Sequence, residues 1–226
     1  MARLSLLRSI AVAVMTAVAM AVMCPEITAQ KKPKGYTDPY QGYSEDVFMD
    51  MDFEPNLATP IVPLKVKGAL AKRVRATAES LRRKAMVDLM RDDEVIVVTV
   101  PTDQLFMPND TLLSDQAEAA LAPLPGLMKD PMMYKVVLAM HTDDTGSELY
   151  RDELSSSRLN SVYDWFMTCM DRGILSEQLI IIPFSMGGFM PLVDNDTRAH
   201  RSENRRLEVY LVPGPKLIDM AWEDVK

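Results

Sequence analysis

Four runs of β-branched and apolar residues constrain this chain more than anything else in it: EVIVVTV (Glu94–Val100), YKVVLAM (Tyr134–Met140), QLIIIPF (Gln178–Phe184) and RLEVYLV (Arg206–Val212). Each has the length and residue types of a strand. A helical pattern spans Ser114–Leu124 between the first two, punctuated by Pro123 and Pro125, and a longer one runs from about Glu148 to Met170 between the second and third. The order is therefore βαβαβ, then a loop or short helix, then β. Such alternation predicts an α/β (α+β) sandwich, βαβαβ(α)β, with a mixed four-stranded sheet and helices packed on one face.

Upstream of the strands the pattern changes twice. Residues 30–64 are acidic and turn-rich with no sustained period, which predicts a flexible tether or loosely docked arm. From Val66 to Leu89 the set Leu70, Val74, Ala78, Leu81, Ala85 and Leu89 steps by three or four, so residues 65–92 are expected to form an amphipathic helix. Between Lys65 and Lys84 it carries eight basic residues against the single acid Glu79, so it offers either a solvated face of a docked helix or a contact for an anionic lipid or wall polymer. The compact domain is expected over 93–213, followed by a C-terminal tail, 214–226.

The first thirty residues, MARLSLLRSIAVAVMTAVAMAVMCPEITAQ, place two arginines before an apolar stretch from Ile10 to Met23. That stretch is shorter than the ~20 residues a membrane-spanning helix needs, and with the small Thr28 and Ala29 behind it, residues 1–29 resemble a secretory signal peptide. Cys24 and Cys169 are the two cysteines. Cleavage after Ala29 would leave Cys169 without an internal disulfide partner. Lipid attachment at Cys24 is the competing outcome, although Met23 stands where a lipoprotein signal usually has a small residue. The formal net charge of −7 argues against nucleic acid as a partner, since phosphates would meet net repulsion. Residues 30–92 are also too few for an eight-stranded membrane barrel, which needs ~70–90 residues in strands alone.

The chemistry concentrates in HTDDTGSELYRDELSSSR, His141–Arg158. On a helical wheel Arg158 falls within the apolar stripe formed by Leu154, Leu159, Val162, Trp165, Phe166, Cys169 and Met170. A permanently charged guanidinium there needs a carboxylate or an anionic ligand. Asp143 is the natural candidate, because the turn DDTGS follows the second strand and leads into this helix. It serves either as a simple charge partner for Arg158 or as half of a ligand site at a strand's carboxyl end.

These residues also carry a resemblance. The segment HTDDTGSELYRDELSSSRLNSVYDWF resembles the hallmark of the OmpA-like peptidoglycan-binding domain: a TD dipeptide, a glycine turn, then LS, two residues and an arginine. DQLFMPNDTLLSDQAEAALAPL upstream and PFSMGGFMPLVDNDTRAHRSENRRLEVYLV downstream resemble the family's first loop and helix, and its third strand, loop and closing NRR. The resemblance covers about Val95–Val212. It implies a non-enzymatic periplasmic domain that holds the zwitterionic end of diaminopimelate in the wall's peptide stem and tethers the envelope, with or without attachment to the outer membrane. By this resemblance Asp143 and Arg158 grip the ligand, Thr142, Asn109 and Gly146 line its pocket, and Asn204 and Arg205 brace the loops. Other envelope proteins are further partners it allows, and a scaffold of the same fold without wall binding is the alternative. The chain departs from the family at Met140, Pro108 and His200, and at Ser185, Gly187 and Gly188 in the third loop.

Other chemistries fit less well. PFSMG around Ser185 lacks the first glycine of a nucleophile elbow, with Pro183 in its place. His141, Asp143 and Asp144 lack diagnostic metal-ligand spacing, and the methionines suit core packing better than a cofactor box. No catalytic residue, metal or cofactor is expected.

Overall fold

The computed structural model describes Tyr40 and residues 45–226. The expected signal peptide, Cys24 and the first part of the expected tether lie outside the described residues. Five strands form one sheet: β1 (Met86–Met90), β2 (Val95–Pro101), β3 (Tyr134–His141), β4 (Ile181–Gly187) and β5 (Arg206–Pro213), in the order β1-β2-β5-β3-β4. β3 and β4 are parallel, and the other neighbours are antiparallel. The sheet is thus mixed, as the alternation of elements predicts.

Its helices are α1 (Glu45–Met49), α2 (Phe53–Ala58), α3 (Lys67–Leu81), α4 (Ala117–Leu121), α5 (Glu148–Asp171), α6 (Arg198–Asn204) and α7 (Pro215–Glu223). On one face of the sheet Ile96, Val98, Val136, Leu138, Val209 and Leu211 pack with the apolar stripes of α3, α5 and α7. On the other face Val95, Val97, Val137, Ala139 and Tyr210 pack with Tyr40, Phe48 and Leu57 from the N-terminal arm. Period-two alternation sends neighbouring side chains to opposite faces, and cover on both sides explains why β2, β3 and β5 read as nearly unbroken apolar runs.

Three expectations change. Helices do not keep to one face, because the described part of the expected tether folds into α1 and α2 and closes the second. Its anchor is polar as well as apolar: fully buried Lys135 on β3 donates to the Asn56 carbonyl (2.7 Å) and Asn56 Oδ1 (3.1 Å) and lies 4.0 Å from the centre of the Phe48 ring. Burial pulls the Lys135 ammonium down to about 7. The expected basic helix stops at Leu81. Arg82, Arg83 and Lys84 follow at its negative end, where the macrodipole favours cations, and β1 then pairs with β2 to give the fifth strand. The C-terminal segment is a helix rather than a tail, with Pro215 in its first turn and Leu217, Ile218 and Ala221 buried against α3.

Much of the basic charge on and around α3 is answered inside the fold. Lys67 pairs with Glu94 (2.6 Å), Arg73 with Asp224 (2.6 Å), Arg75 with Asp93 (2.6 Å) and Arg82 with Glu79 (3.0 Å), while Lys65 lies over Trp222. The solvated face of a docked helix is the reading these contacts favour. Among the described residues no helix is long and apolar enough to cross a membrane.

Candidate functional site

The site lies at one end of the sheet, where β2 and β3 finish and β5 begins. β2 runs into a 3-10 turn, Thr102–Gln104, which carries Asp103. β3 ends at a bulge: Met140 opposes Ser185 but His141 opposes Gly187, so the partner strand gains a residue and the chain is re-aimed beyond it. The Thr142 amide donates to the Gly187 carbonyl at 2.7 Å, and Asp143 follows at the mouth of the loop. Gly146 turns with φ +87°, where a Cβ would come within 2.7 Å of Tyr150 Cδ1. Ser147 then starts α5, its hydroxyl accepting from the Tyr150 amide at 3.2 Å.

Asp143 is nearly buried yet ionised by its surroundings. Its Oδ2 accepts from Arg205 Nη1 at 2.8 Å and its Oδ1 from the Thr145 amide at 2.9 Å. Burial pushes its carboxyl up, but the Arg205 guanidinium and Thr145 outweigh this and hold it below the usual carboxylate value. Arg205 also pairs with Asp103 at 3.1 Å, and these two carboxylates raise its own pKa against the opposing effect of burial. Arg205 is fixed from behind as well, because its carbonyl accepts from the Thr102 amide at 3.0 Å.

Arg158 is buried, and Asp143 is not its ion-pair partner; this corrects the expected pairing. Its Nε donates to the Asp110 carbonyl at 2.9 Å, and its guanidinium lies 4.9 Å from the centre of the Phe106 ring. No carboxylate of a described residue lies within ion-pair distance of it. Burial accordingly lowers its pKa, with only partial relief from nearby Tyr150, Asp103 and Asp110. Asp143 and Arg158 instead line one open cleft of about 550 Å³, with Asp103, Asn109, Thr142 and Tyr150 among the other walls. That volume is typical of clefts for small ligands, about 300–1,000 Å³. Thr142 lines the cleft, and its Oγ1 is buried without a hydrogen-bond partner among the described residues.

The other predicted residues divide by role. Asn109 lines the cleft in the left-handed conformation (φ 59°), with its Oδ1 3.4 Å from the Tyr150 hydroxyl. Gly146 shapes the turn but is not among the lining residues. Asn204 is fully buried away from the cleft. Its Oδ1 accepts from the amides of Leu192 and Val193 and its Nδ2 donates to the Val193 carbonyl, bracing the β4–α6 loop. His141 is held by Glu208 (Nε2 to Oε2, 3.0 Å), and Ser185 shares a 2.6 Å hydrogen bond with Ser155.

Sequence reasoning missed Asp103, Phe106, Tyr150, Leu154 and Arg198 as walls of this cleft. A signal existed for two of them: Tyr150, Leu154 and Arg158 are spaced by four and share a helical face.

Residues 105–205 match the OmpA family. Over that segment the chain is similar to an OmpA-like domain. The OmpA-like segment also relates it to individual proteins. It is 25% identical to the uncharacterized protein YtxE of Bacillus subtilis (strain 168) over 146 residues, covering 63% of this chain and 58% of that protein. It is 39% identical to the outer-membrane lipoprotein YfiB of Pseudomonas aeruginosa over 77 residues, 34% of this chain and 43% of that protein. The chain therefore spans about half the length of these relatives. A MotB-like protein of Desulfovibrio vulgaris shares the OmpA-like fold, with a TM-score of 0.56, 24% identity and coverage of 66% of this chain and 96% of that one.

Proposed function

We propose that this protein binds peptidoglycan non-covalently, holding the zwitterionic end of diaminopimelate in a wall stem peptide, and that it anchors the cell envelope to the wall from the periplasm. The observation that carries this reading is the cleft itself, where a carboxylate and a guanidinium face one space without neutralising each other. Arg158 has a planar fork with its Nε committed and its terminal nitrogens without a hydrogen-bond partner among the described residues, suited to two parallel hydrogen bonds to a carboxylate. Asp143 stays ionised and can accept an ammonium.

The similarity to an outer-membrane lipoprotein of P. aeruginosa supports an envelope location. In this reading any attachment to the outer membrane comes from a lipid or from other envelope proteins, with the arm and α3 completing the domain rather than reaching for a surface.

Sedimentation with purified peptidoglycan tests the proposal. Wild-type protein is expected in the pellet, and Asp143→Ala and Arg158→Ala in the supernatant, with folding of each checked by circular dichroism. Pelleting of both folded variants at the wild-type level would remove the pair from the site and leave an envelope scaffold that does not use this cleft.

A further inference from the structure

A single zwitterion answers one carboxylate and one guanidinium, and the cleft holds more positive charge than that. Arg151, Arg158, Arg198 and Arg205 line it against Asp103 and Asp143. Both carboxylates are already paired with Arg205. Arg151 directs its Nη1 to the carbonyls of Asp144 (3.3 Å) and Gly146 (2.7 Å). Arg158 and Arg198, from α5 and the start of α6, have no carboxylate within ion-pair distance among the described residues, and the Arg198 guanidinium has no hydrogen bond to them either. In a chain of net charge −7, this unanswered positive charge in one cleft is a selective feature.

We propose that Arg198 forms a second anion subsite, so that the preferred ligand carries two carboxylates beside one ammonium. The inference rests on the preceding reading, in which Arg158 takes the carboxylate next to the ammonium. Diaminopimelate within a stem has such a second group: its main-chain carboxyl, which is a free carboxylate where the stem ends there and a neutral amide where another residue follows. The cleft thus selects stems ending at diaminopimelate. A hydrolytic cleavage of the following peptide bond is the class of reaction that supplies them, adding water across the amide and releasing the distal amino acid with its new ammonium.

Two synthetic tripeptides, alanyl-γ-glutamyl-diaminopimelate with that main-chain carboxyl either free or as a primary amide, separate the possibilities by calorimetric titration. Wild-type protein should bind the free acid about five- to tenfold more tightly, the size expected for one partly exposed charge-assisted contact. In Arg198→Gln the ratio should fall to about one. Arg198 is exposed at the first position of α6, so the exchange disturbs no buried contact. Equal affinities in wild type, or an unchanged ratio in Arg198→Gln, overturn the second subsite. If that happens while Asp143→Ala still abolishes binding of both peptides, the zwitterion site survives; if wild type binds neither peptide, both readings fall.

Discussion

At the scale of single residues, the site depends on what holds its loops still. Glu208, on β5, is buried and accepts from His141 Nε2 (3.0 Å), the Tyr210 hydroxyl (2.5 Å) and Arg206 Nε (2.8 Å), so it ties together the residues that precede Thr142 and follow Arg205. Burial alone would raise its pKa, but these three donors bring it down to about 2 from an ordinary 4.5. A carboxylate with a depressed folded-state pKa contributes stability above its unfolded pKa and loses it as pH falls through the folded value. The contribution of Glu208 should therefore fade between about pH 4.5 and 2, by on the order of 3 kcal/mol. Urea denaturation across that window should show a steeper loss in wild type than in Glu208→Gln; equal slopes would remove Glu208 from the balance. At this scale the sequence singled out Asp143 and Arg158, which line one cleft, because an arginine inside an apolar stripe demands an explanation. It could not disclose that Arg205 pairs with Asp103 and Asp143, since those partners are 102 and 62 residues distant along the chain and meet only when β2, β3 and β5 assemble.

Among the elements, the four long strands were legible because cover on both faces makes each a dense apolar run. β1 was hidden by a coincidence of period: Ala85 and Leu89 continue the three-and-four spacing of α3, while the helix itself ends at Leu81. The arm was hidden for the opposite reason. Its buried contacts, Tyr40, Phe48 and Leu57, keep no helical or strand period, and the apolar residues between them, among them Met51 and Phe53, are interspersed with acids. Phe48 is fully buried, packs edge-on to Tyr40 with ring centres 5.5 Å apart, and lies under the Lys135 ammonium. Phe48→Ala should destabilise the protein by about 3–5 kcal/mol. It should speed amide hydrogen exchange across residues 45–58 more than in β3 and β5. Unchanged stability would mean that the arm is dispensable to the fold.

For the molecule as a whole, charge is segregated. The acidic chain uses many of the cations around α3 to fasten that helix to Glu94, Asp93 and Asp224, while the guanidiniums of Arg158 and Arg198 remain unspent in the cleft at the end of the sheet. In the proposed reading these guanidiniums, without a carboxylate partner among the described residues, await an anion, and Asp143 in the same cleft awaits a cation. NMR titration of the folded protein with a soluble diaminopimelate-containing stem tripeptide tests this most directly. The account predicts saturable shifts in the amides of Thr142, Asp143 and Thr145 and in the Arg158 side chain, absent in Arg158→Ala. Saturable shifts confined to another surface, or no shifts at millimolar peptide, would contradict it.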